Sequence, residues 1–289
     1  MAESTTLNPT DATPAPSATI PRRAATPVDH VLWLGFPGCD YVLEDLPNLL
    51  SWVDGIKPTD ANRPGVVIVI REAAGRTAAS VAHVLRGLAF QCDFATLSIA
   101  LPITASEIVR QTVSPAEQYL ESGLVPILVS WAIETVQTAA TLDSVAKLSG
   151  PGVGDHMASW LPGSCFVSVP GKGIVSGKRR ALAVWQETLA GVPRGPLPSI
   201  AYTQDAPRDF VAAFPPTANV LPPDAVGPAD HWGARRWAEV SWLPVDPAAL
   251  VARVQATRFV PCPNCRRPSI TPICRYCAGP VPVRPAGKP

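Results

Sequence analysis

The chain has 289 residues, 47% of them hydrophobic and only 16% charged, with a net charge of +1. Such a length and apolar content are enough to bury a core, which excludes an intrinsically disordered or fibrous protein. The longest apolar runs, VVIVI and VPILVSWAI, are strand-sized and fall short of the ~20 residues that span a bilayer, and Arg22-Arg23 follows polar sequence rather than opening a hydrophobic stretch. A cytoplasmic protein without a membrane partner is the expectation.

Residues 1–28 are dominated by Thr, Ala and Pro and cannot offset their own ordering entropy, so a disordered tail is expected there. Over 29–191 apolar runs alternate with stretches of helical period. HVLWLGF (30–36) predicts a first strand. Val42, Leu43, Leu46, Leu49, Leu50 and Val53 then recur on one helical face. GVVIVIR (65–71) lacks polar alternation, as a strand covered on both faces should, and Val81, Val84, Leu85 and Leu88 mark the helix after it. FATLSIALP (94–102) predicts a third strand. In SPAEQYLESG, Ser114, Pro115, Glu117 and Gly123 match the start and stop signals of a helix. LVPILVSW (124–131) reads as a fourth strand and ETVQTAATLDSVAKL as a helix, followed by a strand at SCFVSV (164–169) and a helix at KRRALAVWQETLAG.

This succession predicts an α/β protein with a Rossmann-like, doubly wound, mostly parallel sheet. From 192 to 230 prolines, which lack the N–H a ladder needs, punctuate an irregular excursion holding one short strand at SIAYT. Over 231–258, RWAEVSWLP and PAALVARVQAT predict a strand and an Asp246-capped helix packed on the α/β domain. A small C-terminal zinc ribbon (259–279) and a flexible tail (280–289) complete the expected organisation.

The ribbon is the most specific signal in the chain. Cys262-x-x-Cys265 and Cys274-x-x-Cys277 place two thiolate pairs on tight turns that can close tetrahedrally around Zn2+. Residues 259–279 resemble the short four-cysteine zinc ribbons appended to many bacterial and archaeal proteins. In those knuckles Gly often follows the second Cys directly, whereas here Arg266 follows Cys265 and Ala278 precedes Gly279. Four thiolates leave no open coordination position, so the zinc is expected to be structural rather than catalytic. Cys39, Cys92 and Cys165 stand among apolar neighbours and read as free thiols.

Charge is segregated along the chain. Residues 231–289 hold nine Arg or Lys against Glu239 and Asp246, a balance of +7 that leaves −6 on the remainder. Metal and thiolates together reduce the excess to about +5. Arg266, Arg267, Arg275 and Tyr276 are the side chains a ribbon would display, which gives the leading expectation: a binding or accessory module contacting a protein or nucleic acid partner through its basic C-terminal section. GKGIVSGKRR (171–180) fails the Walker pattern, because Lys172 stands where its first Gly belongs and Arg179 where its Ser or Thr belongs. A glycine-flexible turn there still offers backbone N–H groups with Lys172, Lys178, Arg179 and Arg180 to an anion.

The carboxyl ends of the predicted strands carry Cys39, Asp40, Glu44, Arg71, Glu72 and Glu134, where ligands collect in open α/β sheets. An enzyme acting on a nucleotide or phosphoester at that edge, with the ribbon as docking module, is the alternative. No catalytic residue can be named from spacing. Trp232, Trp237 and Trp242 read as core anchors ahead of base-stacking platforms.

Overall fold

The computed structural model describes residues 30–36, 39, 45–56, 63–72, 75–89, 91–120, 123–148, 151–161, 163–193, 197–221 and 231–282. The expected N-terminal tail, Asp40, Glu44 and most of the expected C-terminal tail lie outside them. In chain order the elements are β1 (His30–Leu34), α1 (Leu46–Asp54), β2 (Gly65–Arg71), α2 (Gly75–Leu88), β3 (Asp93–Ile99), α3 (Ile103–Val113), α4 (Val125–Thr135), β4 (Gln137–Leu142) and α5 (Val153–Ala158). There follow β5 (Phe166–Val169), β6 (Gly173–Ser176), α6 (Lys178–Ala190), β7 (Ser199–Tyr202), α7 (Arg208–Val211), β8 (Asn219–Val220), β9 (Trp237–Trp242), α8 (Pro247–Ala256), β10 (Val260–Pro261) and β11 (Pro268–Ser269).

The chain is mixed α/β, as expected, but the strands form separate sheets rather than one doubly wound sheet. β1-β2-β3 is a three-stranded parallel sheet, β10-β11 a small antiparallel pair, and the rest form a six-stranded sheet ordered β6-β5-β4-β9-β7-β8. Within the larger sheet only β7 and β8 run parallel; the other pairings are antiparallel. The departure has a local cause. VPILVSW is α4, with Pro126 in its first turn, and QTAATL is not helix but β4, paired on one side with β5 and on the other with β9. A short apolar run reads equally as buried helix or strand, and an alanine-rich strand between two partners takes its conformation from the ladder.

The capping signal at Ser114 is displaced as well. Ser114 closes α3, its N–H donating to the Arg110 carbonyl, and only a short 3₁₀ turn over Glu117–Tyr119 follows. The helix itself lies upstream in ITASEIVRQTV, where β-branched residues conceal it.

Both faces of the parallel sheet are covered. Leu32, Leu34, Val66, Ile68 and Ile70 pack against Leu49 and Val53 of α1 and Val81 and Leu85 of α2. On the other face Trp33, Val67, Val69 and Leu97 meet Val109 and Val113 of α3, Val125 and Leu128 of α4, and Val251 and Val254 of α8. Cys262, Cys274, Tyr276 and Val281 belong to this second core, so the C-terminal ribbon is built into the body. One face of the larger sheet, including Val167 and Val240, packs on Trp185 of α6 and Phe210 of α7. Its opposite face, with Ala140, Phe166 and Trp237, meets Ile103 at the start of α3. Thus α3 bridges the two sheets. No helix among the described residues is long and apolar enough to cross a membrane.

Candidate functional site

Two constellations stand out: a thiolate cluster in the ribbon and a buried polar seam where α3 enters between the sheets.

The cysteine ligand atoms lie within 4.8 Å of one another. Cys262 Sγ is 3.5 Å from Cys277 Sγ, and Cys265 Sγ is 3.5 Å from Cys274 Sγ. A tetrahedral ion with metal–sulfur bonds of about 2.3 Å needs sulfur–sulfur edges of about 3.8 Å, so the cluster fits a four-thiolate metal. The knuckles repeat one hydrogen-bond pattern. Arg266 N donates to Cys262 O at 2.8 Å and Cys262 N to Arg267 O at 2.9 Å; Ala278 N donates to Cys274 O at 3.0 Å and Cys274 N to Gly279 O at 2.9 Å. Arg266 (φ 61°) and Ala278 (φ 54°) therefore take left-handed backbone conformations at the positions where such ribbons often place Gly.

The ribbon does not display all the side chains that its sequence offers. Arg267 is only 5% exposed: its guanidinium donates to the Arg63 carbonyl at 2.7 Å, lies 3.5 Å from Asp93 Oδ2 and stacks over the Tyr276 ring at 4.4 Å. Tyr276 is buried with it, while Arg266 and Arg275 remain exposed. Gly123 (φ 96°) closes the contact from the body, for a Cβ there would stand 2.6 Å from Pro268 Cδ. The cluster's surroundings thus fasten the ribbon to the edge of the parallel sheet.

The seam is centred on Glu239, in the β9 strand. Its side chain is fully buried; Oε1 accepts from the Thr104 backbone N–H at 3.0 Å, in the first turn of α3, and Oε2 accepts from Trp232 Nε1. Burial pushes the Glu239 carboxyl above its ordinary range, against the opposing pull of these donors and of Arg71. Next to it, Ser241 Oγ is bonded to both Thr104 Oγ1 (2.7 Å) and Thr138 Oγ1 (2.6 Å). Arg71 ends β2, at the carboxyl edge of the parallel sheet, and donates through Nε to Gly35 O at 3.0 Å.

His231 retains exposed surface but packs edge-on against Trp232, with ring centroids 4.8 Å apart. Partial burial and then the charge of Arg71 hold its imidazole below the ordinary range. Farther along α3, Arg110 clasps Glu107 with bonds of 2.7 and 2.8 Å. Two buried polar groups on the paired strands β4 and β9 stand out. Trp237 Nε1, in the same cluster as Trp232 and Ile103, and Thr141 Oγ1 have no hydrogen-bond partner among the described residues, although Trp237 is 3% and Thr141 1% exposed. Leaving such a donor unmatched costs about 1–3 kcal/mol.

Of the strand-end residues expected to mark a site, Arg71 is close enough for its charge to act on Glu239 and His231. Cys39 bridges to Phe36 in the turn after β1, and Glu134 lies in the last turn of α4, just before β4 rather than at a strand's carboxyl end. Glu239 and Thr104 escaped the sequence reading as site residues, and Trp232 and Trp237 read as core anchors ahead of base-stacking platforms. These residues are separated by up to 135 positions, and only the pairing of β9 beside α3 unites them. The basic turn also separates: Lys172 pairs with Glu187 at 2.8 Å, Lys178 with Asp209 at 3.2 Å, and the four-residue β6, about 13 Å long, divides Lys172 from Lys178, Arg179 and Arg180.

No protein-family model and no curated protein matches the chain. Solved structures do. A DegV family protein from Eubacterium eligens loaded with heptadecanoic acid is similar at 12% identity and a TM-score of 0.42, covering 71% of this chain and 87% of that one. The Streptococcus pneumoniae fatty acid kinase B3 protein loaded with linoleic acid is similar at 11% identity and a TM-score of 0.43, over 68% and 75%. A fatty-acid-binding DegV family protein from Thermus thermophilus is similar at 13% identity and a TM-score of 0.43, over 69% and 76%.

The geometry of the ribbon corrects the expected partner surface: two of the four side chains expected to contact a protein or nucleic acid, Arg267 and Tyr276, are spent inside the molecule. The basic residues expected to hold an anion do not form one cluster, since Lys172 lies at one end of β6 and Lys178, Arg179 and Arg180 lie beyond the other.

Proposed function

We propose that the seam between the two sheets binds a small amphiphile, with a carboxylate head and an aliphatic body. The observation that carries the reading is Trp237 Nε1, a buried donor without an acceptor, in the cluster that also holds Trp232 beside Glu239. A carboxylate oxygen would satisfy that donor, and the charge of Arg71, which reaches both Glu239 and His231, favours an anionic head. Trp232, Leu221, Leu142 and Ile103 supply the apolar wall that an aliphatic body requires.

Long-chain carboxylic acids are the first compounds to test, each beside the alcohol of equal length. The acids should raise the melting temperature and the alcohols much less, and Trp237→Phe, which removes only the N–H and the indole's second ring, should weaken the effect by about tenfold, as expected for a lost charge-assisted hydrogen bond. Mass spectrometry of the intact protein under native conditions checks for a co-purified acid. Absence of any thermal response and of any bound acid would end this reading.

We further infer that the cysteine cluster holds one structural Zn2+ through Cys262, Cys265, Cys274 and Cys277. Four thiolates select a soft ion and leave no position for water. Metal analysis should return one zinc per chain, and Cys274→Ser should lower the content. An unchanged content in that variant would exclude the assignment.

A further inference from the structure

α5 follows the central strand β4 and lies over the cluster formed by Trp232 and Trp237, which it touches through Ala158. Ser159 ties it down, accepting from Val145 N–H at 3.0 Å and donating to the Asp155 carbonyl at 3.0 Å. The outer side is different. Val153 is 78% exposed, Met157 60%, Trp160 78% and Leu161 65%. Their spacing of four, three and one residues puts them on one face of a helical path that continues past Ala158 through the turns Trp160 N to Met157 O and Leu161 N to Ala158 O. Four large apolar side chains exposed together are not the scattered exposure of an ordinary surface.

The register of the larger sheet sets cations beside this stripe. Leu142 pairs with both Phe166 and Trp237, and Phe166 with Ser176. The residues just beyond that row therefore share one end of the sheet: Asp143 after β4, Arg236 before β9 and Lys178 at the start of α6. Arg235 and Arg236 line one shallow cleft with Trp160 and Leu161. Arg236 Nε and the Arg235 backbone N–H each approach Asp143 at 3.2 Å, which anchors the loop while both arginine side chains stay exposed.

We infer that the stripe Val153, Met157, Trp160 and Leu161, with Arg235 and Arg236 at its rim, docks the protein on an anionic membrane surface. Aliphatic side chains with a Trp on one face and arginines beside them match the interface of a bilayer, where indoles sit at headgroup level and cations meet anionic lipid. A nucleic acid has no place for the apolar stripe. A second copy of this chain would bring the same arginines together around a two-fold axis, and like charges at close range oppose that contact. The surface is distinct from the seam proposed to hold an amphiphile, and vesicle binding is measured without added ligand, so the two readings succeed or fail separately.

The test uses the full chain with zinc bound and two kinds of vesicle: phosphatidylcholine alone, and phosphatidylcholine with about 30 mol % phosphatidylglycerol. Flotation should recover the protein with the anionic vesicles and not with the neutral ones, and raised salt should release it. Trp160 is the most exposed of the eight tryptophans, so its emission should shift to the blue on binding. Trp160→Ser with Leu161→Ser should reduce recovery at least about tenfold while leaving the circular dichroism and melting temperature unchanged, because neither side chain is buried. Arg235→Gln with Arg236→Gln should weaken binding and flatten its salt dependence. The inference is overturned by any of three results: no binding to anionic vesicles, equal binding by the Ser variant, or a wild-type dimer that the Ser variant turns into monomer.

Discussion

Arg266 and Ala278 show how one backbone angle can matter more than a side chain's identity. Each holds φ near +60° so that its N–H can reach the first cysteine of its knuckle, a conformation that costs an L-residue about 1–2 kcal/mol relative to Gly. Ala278→Gly and Arg266→Gly are thus each expected to stabilise the metal-bound protein by up to about 1 kcal/mol, read from the denaturation midpoint; loss of stability in both would contradict the strain. Glu117 gives a pH-dependent counterpart. Burial pushes its carboxyl up to about 7 from an ordinary 4.5, so the folded state holds the proton more tightly than the unfolded one. Its contribution to stability is complete below about pH 4.5 and is lost as pH rises towards 7. Glu117→Gln, which stays neutral, should gain on the wild type across that window by about 1–2 kcal/mol, less than the full linkage value because Glu117 is partly solvated. Melting curves at pH 5 and pH 8 decide it: an equal difference at both would mean the group titrates normally.

Among the elements, the ribbon changes most on passing from sequence to structure. Its cluster of four cysteines was legible because thiolate spacing suited to a metal is dictated by coordination geometry, which needs no knowledge of the fold. Its attachment was not, since Arg267 reads as an exposed charge until Asp93, Arg63 and Tyr276 are seen around it. The same contrast runs through the strands. GVVIVIR and RWAEVSWLP announce themselves by composition, whereas β4 and α4 exchange their expected states because each is fixed by the element beside it, α4 by α3 and α8, β4 by β5 and β9. With Cys262, Cys274, Tyr276 and Val281 in the core of the parallel sheet, the ribbon is not a detachable appendage. Stripping the metal, or ending the chain at Arg258, should lower the melting temperature by about 10 °C or more, because metal-coupled folding energy then leaves the body's own core. A truncated chain that melts like the whole protein would show that the ribbon merely rests on the surface.

In the whole molecule, α3 supplies Ile103 to the core of the larger sheet and Val109 and Val113 to that of the smaller. One helix cannot be removed from one core and kept in the other, so the described regions should unfold together. Calorimetry of the intact protein is expected to give one transition, and Ile108→Ala, at a fully buried position in that helix, to shift it as a unit with a loss of about 2–5 kcal/mol. Two resolved transitions, only one of them moved by the substitution, would mean independent halves.

The strand order of the larger sheet carries a consequence for how the protein is made. β4 lies between β5 and β9, and Leu142 must wait for Trp237 before its second neighbour exists. During synthesis β4, β5 and β6 can form a meander early, but β4 then presents an open hydrogen-bonding edge to the cell until the segment that forms β9 has left the ribosome. Translational pausing between these two points prolongs the life of that edge, and the nascent chain, rather than the finished protein, is where a chaperone would be needed.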